Sequence, residues 1–566
     1  MNNQRLLAWS FFGLVVWFTY QAWVDDFTSD VNITSSPPNF EEPFSDMPST
    51  NLPEFTVREN IKPEALIPNI VAPSSEENGS IISVVTDVFE LKINTVGGTI
   101  EQAKLRDYPI TKDQPDNLVE MLSTEKQNFG LIQTGLRATE KNDEATHLTK
   151  FFAESTYYEM FDKKDLVLTI VWSNEKGIRV EKTYRFKAGS YNIEIEQRIL
   201  NNSSTSEWTG SAYAQILRRE NKAGRGMFNV DSYSYDGPMI YDGEKSQKLD
   251  RDDILESGSY KYSSQNGWVT TIQHHFLNAI IPSPNLDQNY NVAYKGDTFY
   301  LSTIGNAELI QPGTEKTFKT FVYIGPKLQN QLEKIDSSLK LTVDYGWLTI
   351  LSQPLFWVLN KSNIFLSNWG LSIIFVTILI KLLFYKLTNS AGRSMARMRE
   401  VAPRMKAIQE RYKDDRAALG KAMTELYKRE KVNPAAGCLP LLIQMPFFLA
   451  FYWVLLESVE MRQAPFALWI TDLSSRDPYF ILPALNGAAM LFQQKLNPQP
   501  ADPVQTKVMQ IMPIMFTFMF AFFPSGLVLY WLTNTILSFS QQWHINKAVA
   551  SEGQKNIPKN KNKKPR

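Results

Sequence analysis

Long apolar stretches interrupt an otherwise polar chain of 566 residues. A membrane-spanning helix needs about 20 mainly apolar residues. Four stretches approach that length, at residues 6–24, 364–387, 437–456 and 479–496. A fifth block, residues 509–543, is too long for one span, and Pro524 and Gly526 in "FFPSGLV" indicate a turn within it. The sequence therefore predicts a polytopic α-helical membrane protein with six spans, of which the last two cover residues 509–523 and 526–543.

The charges are unevenly distributed, although the formal net charge is zero. Residues 25–345 contain 32 basic and 47 acidic residues, residues 386–433 contain 13 and 6, and residues 547–566 contain 7 and 1. Short segments rich in Lys and Arg stay on the cytoplasmic side. The first stretch follows Arg5 and lacks a small-residue cleavage site, which predicts an uncleaved anchor over residues 1–27. Both termini, including the basic tail 547–566, are predicted to be cytoplasmic, with the acidic part outside.

The acidic part divides into two segments of different composition. Residues 28–80 are rich in Pro, Ser, Asn and Glu, which predicts a flexible linker. From residue 81 the pattern changes to a period of two, as in "DLVLTIVW" (165–172), "IRVEKTYRFK" (178–187) and "YNIEIEQRIL" (191–200). Many such strands predict a large β-sandwich over residues 81–344, with a helical segment at its end, residues 327–344.

Residues 345–360 place apolar side chains on one helical face and contain Pro354, so the segment is too short and too interrupted to span a membrane. The pattern is typical of an amphipathic helix at the outer boundary of the membrane, although a core helix of the β-domain would explain it too. The predicted face consists of Trp347, Leu348, Ile350, Leu351, Leu355, Val358 and Leu359.

The basic segment 388–433 is predicted to form a cytoplasmic helical hairpin with a turn at "KDD" (413–415). One seam has coiled-coil spacing, and the second helix presents a matching face. The seam residues are Ala391, Met395, Met398, Ala402, Met405, Gln409 and Tyr412, and the facing residues are Leu419, Met423 and Leu426. The methionines either close the hairpin itself or provide an adaptable surface for apolar segments of other chains.

Motifs for enzymatic chemistry are missing from the sequence. It contains no phosphate-binding loop and no H-E-x-x-H pattern, and its only cysteine is Cys438, so no intramolecular disulfide can form. His274 and His275 are adjacent, and adjacent strand residues point to opposite faces, which makes them a poor metal pair. We therefore expect no catalytic residues, no metal site, no cofactor and no nucleotide use.

A few polar residues lie inside the predicted spans. Thr377 and Lys381 are four residues apart and share one helical face. Gln444 and Asn486 lie in the next two spans, and Tyr530, Asn534 and Ser538 form a stripe on the last one. Intramembrane polar residues usually face a bundle interior or a wet cavity, so these residues predict a shared polar groove. Lys381 has an alternative explanation, because it lies close enough to the cytoplasmic end of its span for its side chain to reach the lipid headgroups.

Three segments of the membrane part resemble the YidC-type membrane protein insertases. They are "NPAAGCLPLLIQMPFFLAFYWVL" (433–455), "RQAPFALWITDLSSRDPYFILP" (462–483) and "FPSGLVLYWLTN" (523–534). The resemblance covers residues 345–545, and the anchor, β-domain and basic hairpin match the Gram-negative form. It implies a periplasmic β-supersandwich and a five-helix insertase core (residues 361–546) in the bacterial inner membrane. It also implies a hydrophilic groove that is open to cytoplasm and lipid and closed to the periplasm.

The resemblance also implies roles for individual residues and partners. Lys381 stands where the relatives carry an arginine that attracts acidic residues of the incoming protein. Thr377 and Tyr530 match residues near the substrate path, and Trp531 stands where close enterobacterial relatives have tyrosine. The implied partners are nascent membrane proteins, the Sec translocon and the lipid bilayer, without DNA. The basic hairpin and tail are expected to meet the ribosome, although attraction to anionic lipid would explain the same charges.

Two other classes of protein are weighed against an insertase. A secondary transporter would need inverted repeats and acidic sites at the midplane, whereas Glu457 and Glu460 lie at the outer end of the third span. A periplasmic carbohydrate-binding or sugar-modifying protein would need a catalytic or binding pair in the β-domain, and none can be named from the sequence.

Overall fold

The computed structural model describes residues 79–221, 234–413, 415–430, 432–433, 439–496 and 503–555. The predicted anchor, nearly all of the predicted linker, Cys438 and most of the basic tail lie outside the described residues. The strands, helices and contacts given for this protein are those of the described residues.

The first sheet of the β-domain has eleven strands, with strands numbered β1–β20 along the chain. They are β1 (Ile81–Val85), β2 (Phe89–Asn94), β3 (Thr99–Thr111), β4 (Gln114–Leu122), β5 (Gly130–Ala138), β7 (Tyr157–Glu159), β11 (Trp208–Arg219), β14 (Tyr260–Ser264), β17 (Gln288–Lys295), β18 (Thr298–Gly305) and β19 (Glu308–Ile310). Their order is β14-β17-β18-β11-β5-β3-β2-β1-β7, with β19 beside β11 and β4 beside β3.

The second sheet has nine strands. They are β6 (Phe152–Ala153), β8 (Asp165–Ser173), β9 (Ile178–Lys187), β10 (Asn192–Asn201), β12 (Asp236–Tyr241), β13 (Ser246–Lys248), β15 (Trp268–Gln273), β16 (Phe276–Pro282) and β20 (Glu315–Pro326). Their order is β13-β12-β15-β16-β20-β10-β9-β8-β6. All pairs are antiparallel except β1 with β7.

The two sheets share one hydrophobic core, so they form a sandwich. In β9 and β10 the buried residues alternate with less buried ones, and Ile193 pairs with Phe186 on one side and Val322 on the other. This alternation is what a strand with one face on a core requires. The core includes Trp208 of the first sheet and Trp268 of the second. The prediction of a large sheet-rich domain is confirmed.

Ten α-helices occur in the described residues. Two short ones belong to the β-domain: α1 (Arg251–Ser257) and α2 (Gln329–Ile335). The others are α3 (Thr349–Leu366), α4 (Trp369–Leu383), α5 (Tyr385–Arg411), α6 (Arg416–Arg429), α7 (Leu439–Glu457), α8 (Ile481–Leu496), α9 (Pro503–Phe520) and α10 (Ser525–Lys555). The segment predicted to be helical at 327–344 is α2 followed by a 3₁₀ helix, Ser337–Thr342.

The boundary between the first two bundle helices, α3 and α4, lies later in the chain than predicted from the sequence. Helix α3 continues to Leu366, and Ser367 ends it in the left-handed conformation with φ 49°. The Asn368 side chain then accepts a hydrogen bond from the Leu371 amide at 2.9 Å and caps α4. The helix predicted at 345–360 is therefore longer, and the stretch predicted at 364–387 begins later and breaks at Phe384.

Helix α3 packs against α4 and α7, and its residues Leu355, Phe356 and Leu359 join the bundle core. This placement does not support the alternative of a core helix in the β-domain.

The predicted apolar face needs one correction. Ile350 is 85% exposed because it lies on the opposite side of the helix, together with Trp357. The side chain of Trp347 lies outside what the structure describes.

No single helix among the described residues is both long and apolar enough to cross a bilayer by itself. Helices α4 and α5 meet that criterion only as a pair, and the chain bends by 70° between them. Shorter apolar helices lie at Leu442–Glu457 and Thr506–Phe520. The count of six spans therefore stays a prediction.

Helices α5 and α6 form the hairpin, with Met398, Met405, Met423 and Leu426 buried between them. Val401 also joins this cluster and was missing from the predicted seam. The earlier part of α5 packs elsewhere, because Ala396 lies against Ile545 and Val549 of α10. The buried methionines are consistent with a seam that closes the hairpin itself. The side of the membrane on which the hairpin lies stays a prediction.

Candidate substrate groove

Helix α10 is the centre of the bundle and packs against α4, α5, α7 and α8. The polar residues predicted for the spans lie on four of these helices. Because α10 contacts each of the other three, its polar stripe can meet polar side chains from all of them. Ser538, Asn534 and Thr535 of α10 make hydrogen bonds to α4, α7 and α8, respectively.

Lys381 is half-buried and donates a hydrogen bond from Nζ to Ser538 Oγ at 2.7 Å. The Ser538 hydroxyl donates in turn to the Asn534 carbonyl oxygen at 2.7 Å. No carboxylate among the described residues lies within ion-pair distance of Lys381. The ammonium group is therefore bonded to a neutral hydroxyl of α10, without a fixed negative partner from the described chain. Its role in the groove and the alternative of reaching the lipid headgroups both stay predictions.

Gln444 and Asn534 form a reciprocal amide pair between α7 and α10. Gln444 Nε2 donates to Asn534 Oδ1 at 3.1 Å, and Asn534 Nδ2 donates to Gln444 Oε1 at 3.0 Å. Asn534 is buried, whereas Gln444 is half-buried. The pair satisfies polar groups that would otherwise be costly to enclose in an apolar bundle.

Asn486 of α8 is fully buried beside Thr535, whose hydroxyl lies 3.3 Å from Asn486 Oδ1 and 2.8 Å from its own helix at Trp531 O. Sequence reasoning missed Thr535. It could have been proposed from the sequence, because it is a polar residue directly after Asn534 on the helix that carries the predicted stripe.

Three of the predicted groove residues lie outside this polar network. Thr377 is buried, and its hydroxyl donates to Ile373 O of its own helix at 2.6 Å. Tyr530 stacks on Phe451 with ring centroids 4.4 Å apart. Trp531 packs among Phe448, Phe516 and Phe520. The two aromatic residues thus belong to the apolar wall beside the network.

Residues 458–480, which we call the outer loop after the side of the membrane predicted for them, join α7 to α8 and cover the beginnings of two other helices. Asn368 at the start of α4 donates to Phe466 O at 2.9 Å. At the start of α10, the Ser525 hydroxyl donates to Asp472 O at 2.7 Å and the Gly526 amide donates to Leu473 O at 2.9 Å. The outer loop therefore lies across one end of the bundle.

Two aspartates organise the outer loop from within. Asp472 Oδ1 accepts hydrogen bonds from the amides of Gln463 at 3.0 Å and Ser474 at 2.8 Å. Asp477 is buried, and its carboxylate accepts from Trp469 Nε1 at 3.0 Å and from the Leu482 amide at 2.7 Å. Neither aspartate was predicted from the sequence, although both lie in the segment 462–483 that resembles the family.

The β-domain meets the end of α7 through a buried ion pair. Lys327 Nζ and Glu457 Oε2 are 2.7 Å apart, and their side chains are 1% and 6% exposed. Ser234 donates to the other oxygen of Glu457 at 2.9 Å. Nearby, desolvation raises the pKa of the enclosed Glu460 carboxyl to about 7. Burial, with a smaller contribution from His274, lowers the pKa of His275 well below its usual value.

The described residues form a two-sheet domain joined to an apolar helical bundle that contains a polar network. Residues 81–358 match the family model described as the YidC periplasmic domain, and residues 361–552 match the one described as the 60Kd inner membrane protein. The chain belongs to the YidC family of membrane protein insertases. This membership agrees with the predicted location in the inner membrane.

Full-length relatives agree with this assignment. The chain is 41% identical to the membrane protein insertase YidC of Nitrosococcus oceani, over 98% of this chain and 100% of the relative. It is 40% identical to the YidC of Methylobacillus flagellatus, over 97% and 98%. A crystal structure described as an active YidC insertase with its first transmembrane domain resolved is 17% identical. That likeness covers 82% of this chain and 94% of the other at a TM-score of 0.39.

Proposed function

We propose that this protein inserts other membrane proteins into the inner membrane by receiving them in the groove of α4, α7, α8 and α10. The observation that carries the proposal is the position of Lys381. Its ammonium group is half-buried inside the bundle and bonded to a neutral hydroxyl, with no carboxylate partner among the described residues. An acidic residue of an incoming chain can supply the missing negative charge.

Electrostatics favours this use of Lys381. Attraction between two charges is stronger beside low-dielectric walls than in bulk water. Lysine provides a compact charge without the forked geometry of arginine, so it keeps the attraction but loses bidentate binding of carboxylates. The amides of Gln444 and Asn534 can exchange their mutual hydrogen bonds for bonds to a polar segment in transit. Asn534 lies one helical turn from Ser538, which binds Lys381.

The apolar segment of the incoming chain is proposed to move along the aromatic wall into lipid. Tyr530 and Trp531 lie in that wall, and Phe375 and Leu371 of α4 are 44% and 45% exposed on the bundle surface. The mechanism needs no nucleotide, because transfer of the apolar segment into lipid is favourable by itself. Thr377 is proposed to line the same path.

The partners and orientation belong to the same proposal. The β-domain would lie in the periplasm, and the hairpin α5–α6 and both termini in the cytoplasm, where basic side chains can meet ribosomal RNA or anionic lipid. The protein would work alone or beside the Sec translocon. It would not be an enzyme, and it would not act as a transporter or a sugar-modifying protein.

The proposal can be tested with the purified protein in liposomes. A single-span substrate with an acidic tail is added, and protection of the tail from protease is measured. We expect wild type and Lys381→Arg to insert it, and Lys381→Ala to insert it about tenfold more slowly, the effect of losing about 1.4 kcal/mol of attraction. The matched substrate with a neutral tail should be inserted by all three proteins at similar rates.

Two outcomes would contradict parts of the proposal. Equal insertion of the acidic tail by all three proteins would mean that Lys381 does not receive carboxylates. Failure of every protein with both substrates would mean that insertion without a partner does not occur. Ser538→Ala is the control for the hydrogen bond to Lys381, and it should retain insertion because it leaves the charge in place.

A further inference from the structure

We propose that the tip of the β3–β4 hairpin holds the outer loop closed over the end of the groove. This assigns the β-domain a role in the membrane part, and it rests on the proposed groove. The hairpin tip comprises residues 109–113, and the outer loop is residues 458–480 as defined above.

The outer loop has several residues in a strained backbone conformation. Gln463, Leu468 and Phe480 all have positive φ, at 57°, 54° and 57°. Residues other than glycine rarely adopt this conformation, and they keep it only where the surroundings hold them in place. Leu468 is 88% exposed, so burial of its side chain does not hold that position. Contacts from outside the loop can therefore add to the internal hydrogen bonds of Asp472 and Asp477.

The hairpin tip supplies such contacts. Arg462 Nη2 donates to Pro109 O at 2.8 Å and to Ile110 O at 3.2 Å. Gln463 Nε2 donates to Pro109 O at 2.9 Å. Lys112 Nζ donates in the opposite direction, to Thr471 O at 3.1 Å. These bonds connect the tip to both halves of the loop, including the strained residue Gln463.

The hairpin is shaped to reach the loop. Its pairing shifts in register between Leu105 and Pro109 and again between Pro109 and Thr111, which indicates bulges. Bulges bend and twist a hairpin and redirect its tip. The base of the hairpin is anchored in the sandwich, since β3 pairs with β2 as well as with β4.

A second set of contacts fixes the β-domain to the same end of the bundle. The Lys327–Glu457 ion pair joins β20's end to α7, and His274 Nε2 lies 2.8 Å from Leu456 O. Arg462 also lies over the Phe276 ring, with its guanidinium carbon 5.6 Å from the ring centroid. The loop is thus held between a rigid domain and the helix ends that it covers. Loss of the hairpin contacts should let it open.

The experiment measures access to the groove from the outside. Cys438→Ser removes the only native cysteine, and Thr377→Cys places a reporter below the outer loop. A membrane-impermeant charged thiol reagent is added to either side of oriented proteoliposomes. We expect slow labelling from outside in the protein that carries only Cys438→Ser and Thr377→Cys, which serves as the reference protein. Arg462→Ala/Gln463→Ala should label about tenfold faster from outside, with labelling from inside unchanged.

Matched variants make the result specific. Arg476→Ala removes an exposed arginine of the same loop. Its side chain forms none of the hydrogen bonds to the hairpin tip, and the variant should label like the reference protein. Lys112→Ala removes one hydrogen bond between the hairpin tip and the outer loop, from the β-domain side. It should increase outside labelling less than the double variant does. Size-exclusion chromatography shows whether the double variant folds. If it does not fold, Lys112→Ala alone tests whether the hairpin tip holds the outer loop closed.

Three results would overturn the proposal. The first is fast outside labelling of the reference protein. The second is outside labelling of folded Arg462→Ala/Gln463→Ala and Lys112→Ala proteins that equals the labelling of the reference protein. The third is an increase in Arg476→Ala as large as in the double variant. This labelling test is separate from the test of the proposed function. That function is measured as substrate insertion by Lys381 variants that keep the native Thr377. Loss of the Lys381 effect would remove the insertion mechanism and leave the labelling result intact.

Discussion

Lys182 is fully buried between the two sheets of the β-domain. It extends from β9 and donates hydrogen bonds from Nζ to the carbonyl oxygens of Gly97 and Thr134, both in the opposite sheet or its turns. Its Nζ also lies 5.0 Å from the centroid of the Phe151 ring. Burial lowers the pKa of Lys182 to about 7. The residue thus joins the sheets at the cost of a pH-sensitive group in the core.

This burial predicts that the free energy of unfolding of the β-domain rises between pH 7 and pH 10. In that interval the unfolded chain, with a lysine pKa of about 10.4, binds a proton that the folded chain has released. Thermal unfolding of the full chain, followed by the β-sheet signal, should therefore shift to higher temperature as pH rises. Lys182→Met should flatten this slope and lower stability at pH 10, where two carbonyl oxygens lose their donor.

The same slope in wild type and Lys182→Met would show that other groups cause the pH dependence. The comparison between the two proteins matters here, because other side chains titrate in the same range.

At the scale of elements, close helix contacts depend on glycines. A Cβ added to Gly487 of α8 would lie 2.0 Å from Thr517 Oγ1 of α9, and one added to Gly370 of α4 would lie 2.1 Å from the Phe466 ring. Small residues allow helices in membranes to approach closely, where packing replaces the hydrophobic driving force. These two glycines therefore set the spacing of α8 with α9 and of α4 with the outer loop.

Gly487→Ala should lower the stability of the bundle by about 1–3 kcal/mol, because the added methyl group forces α8 and α9 apart. Adding Thr517→Ala should recover part of that loss, since the hydroxyl is the nearest obstacle. The measurement is thermal unfolding in detergent. Gly420→Ala is the control, since an added Cβ there meets nothing within 4 Å. A loss of similar size in the control would refute the packing explanation.

At the scale of the whole molecule, the Lys327–Glu457 ion pair connects the β-domain with the membrane part. Both side chains are nearly inaccessible, so each charge depends on the other for compensation. Removing one partner of a buried pair is costly because it leaves an uncompensated charge, whereas removing both is often nearly neutral. This asymmetry allows the junction to be tested without removing the domain.

Lys327→Met and Glu457→Gln should each destabilise the protein by about 3–5 kcal/mol, and the double variant should lie much closer to wild type. Protease resistance of the junction and thermal unfolding of the full chain measure the effect. Additive losses would mean that the two residues act independently. Lys340→Met, which breaks an exposed contact with Glu333, is the control and should change stability by less than about 1 kcal/mol.

Local patterns in the sequence were sufficient for the parts of the fold that depend on neighbouring residues. Alternation of apolar residues predicted the strands β8, β9 and β10, and the apolar stretches predicted the bundle helices. Lys381, Gln444, Asn486 and Asn534 could be proposed for one site because a polar residue in an apolar helix needs a partner. The family membership followed from residues that the chain shares with its relatives.

The tertiary structure decided what depends on contacts distant in sequence. It placed α10 at the centre, paired Lys381 with Ser538, added Thr535 to the network and placed Trp531 in the aromatic wall. It ended α3 at Leu366 through the cap at Asn368, and it brought the β3–β4 hairpin onto the outer loop. Periodicity is a local property of a chain, whereas sheet order, helix neighbours and side-chain partners follow from packing the whole molecule, so only the packed structure could show them.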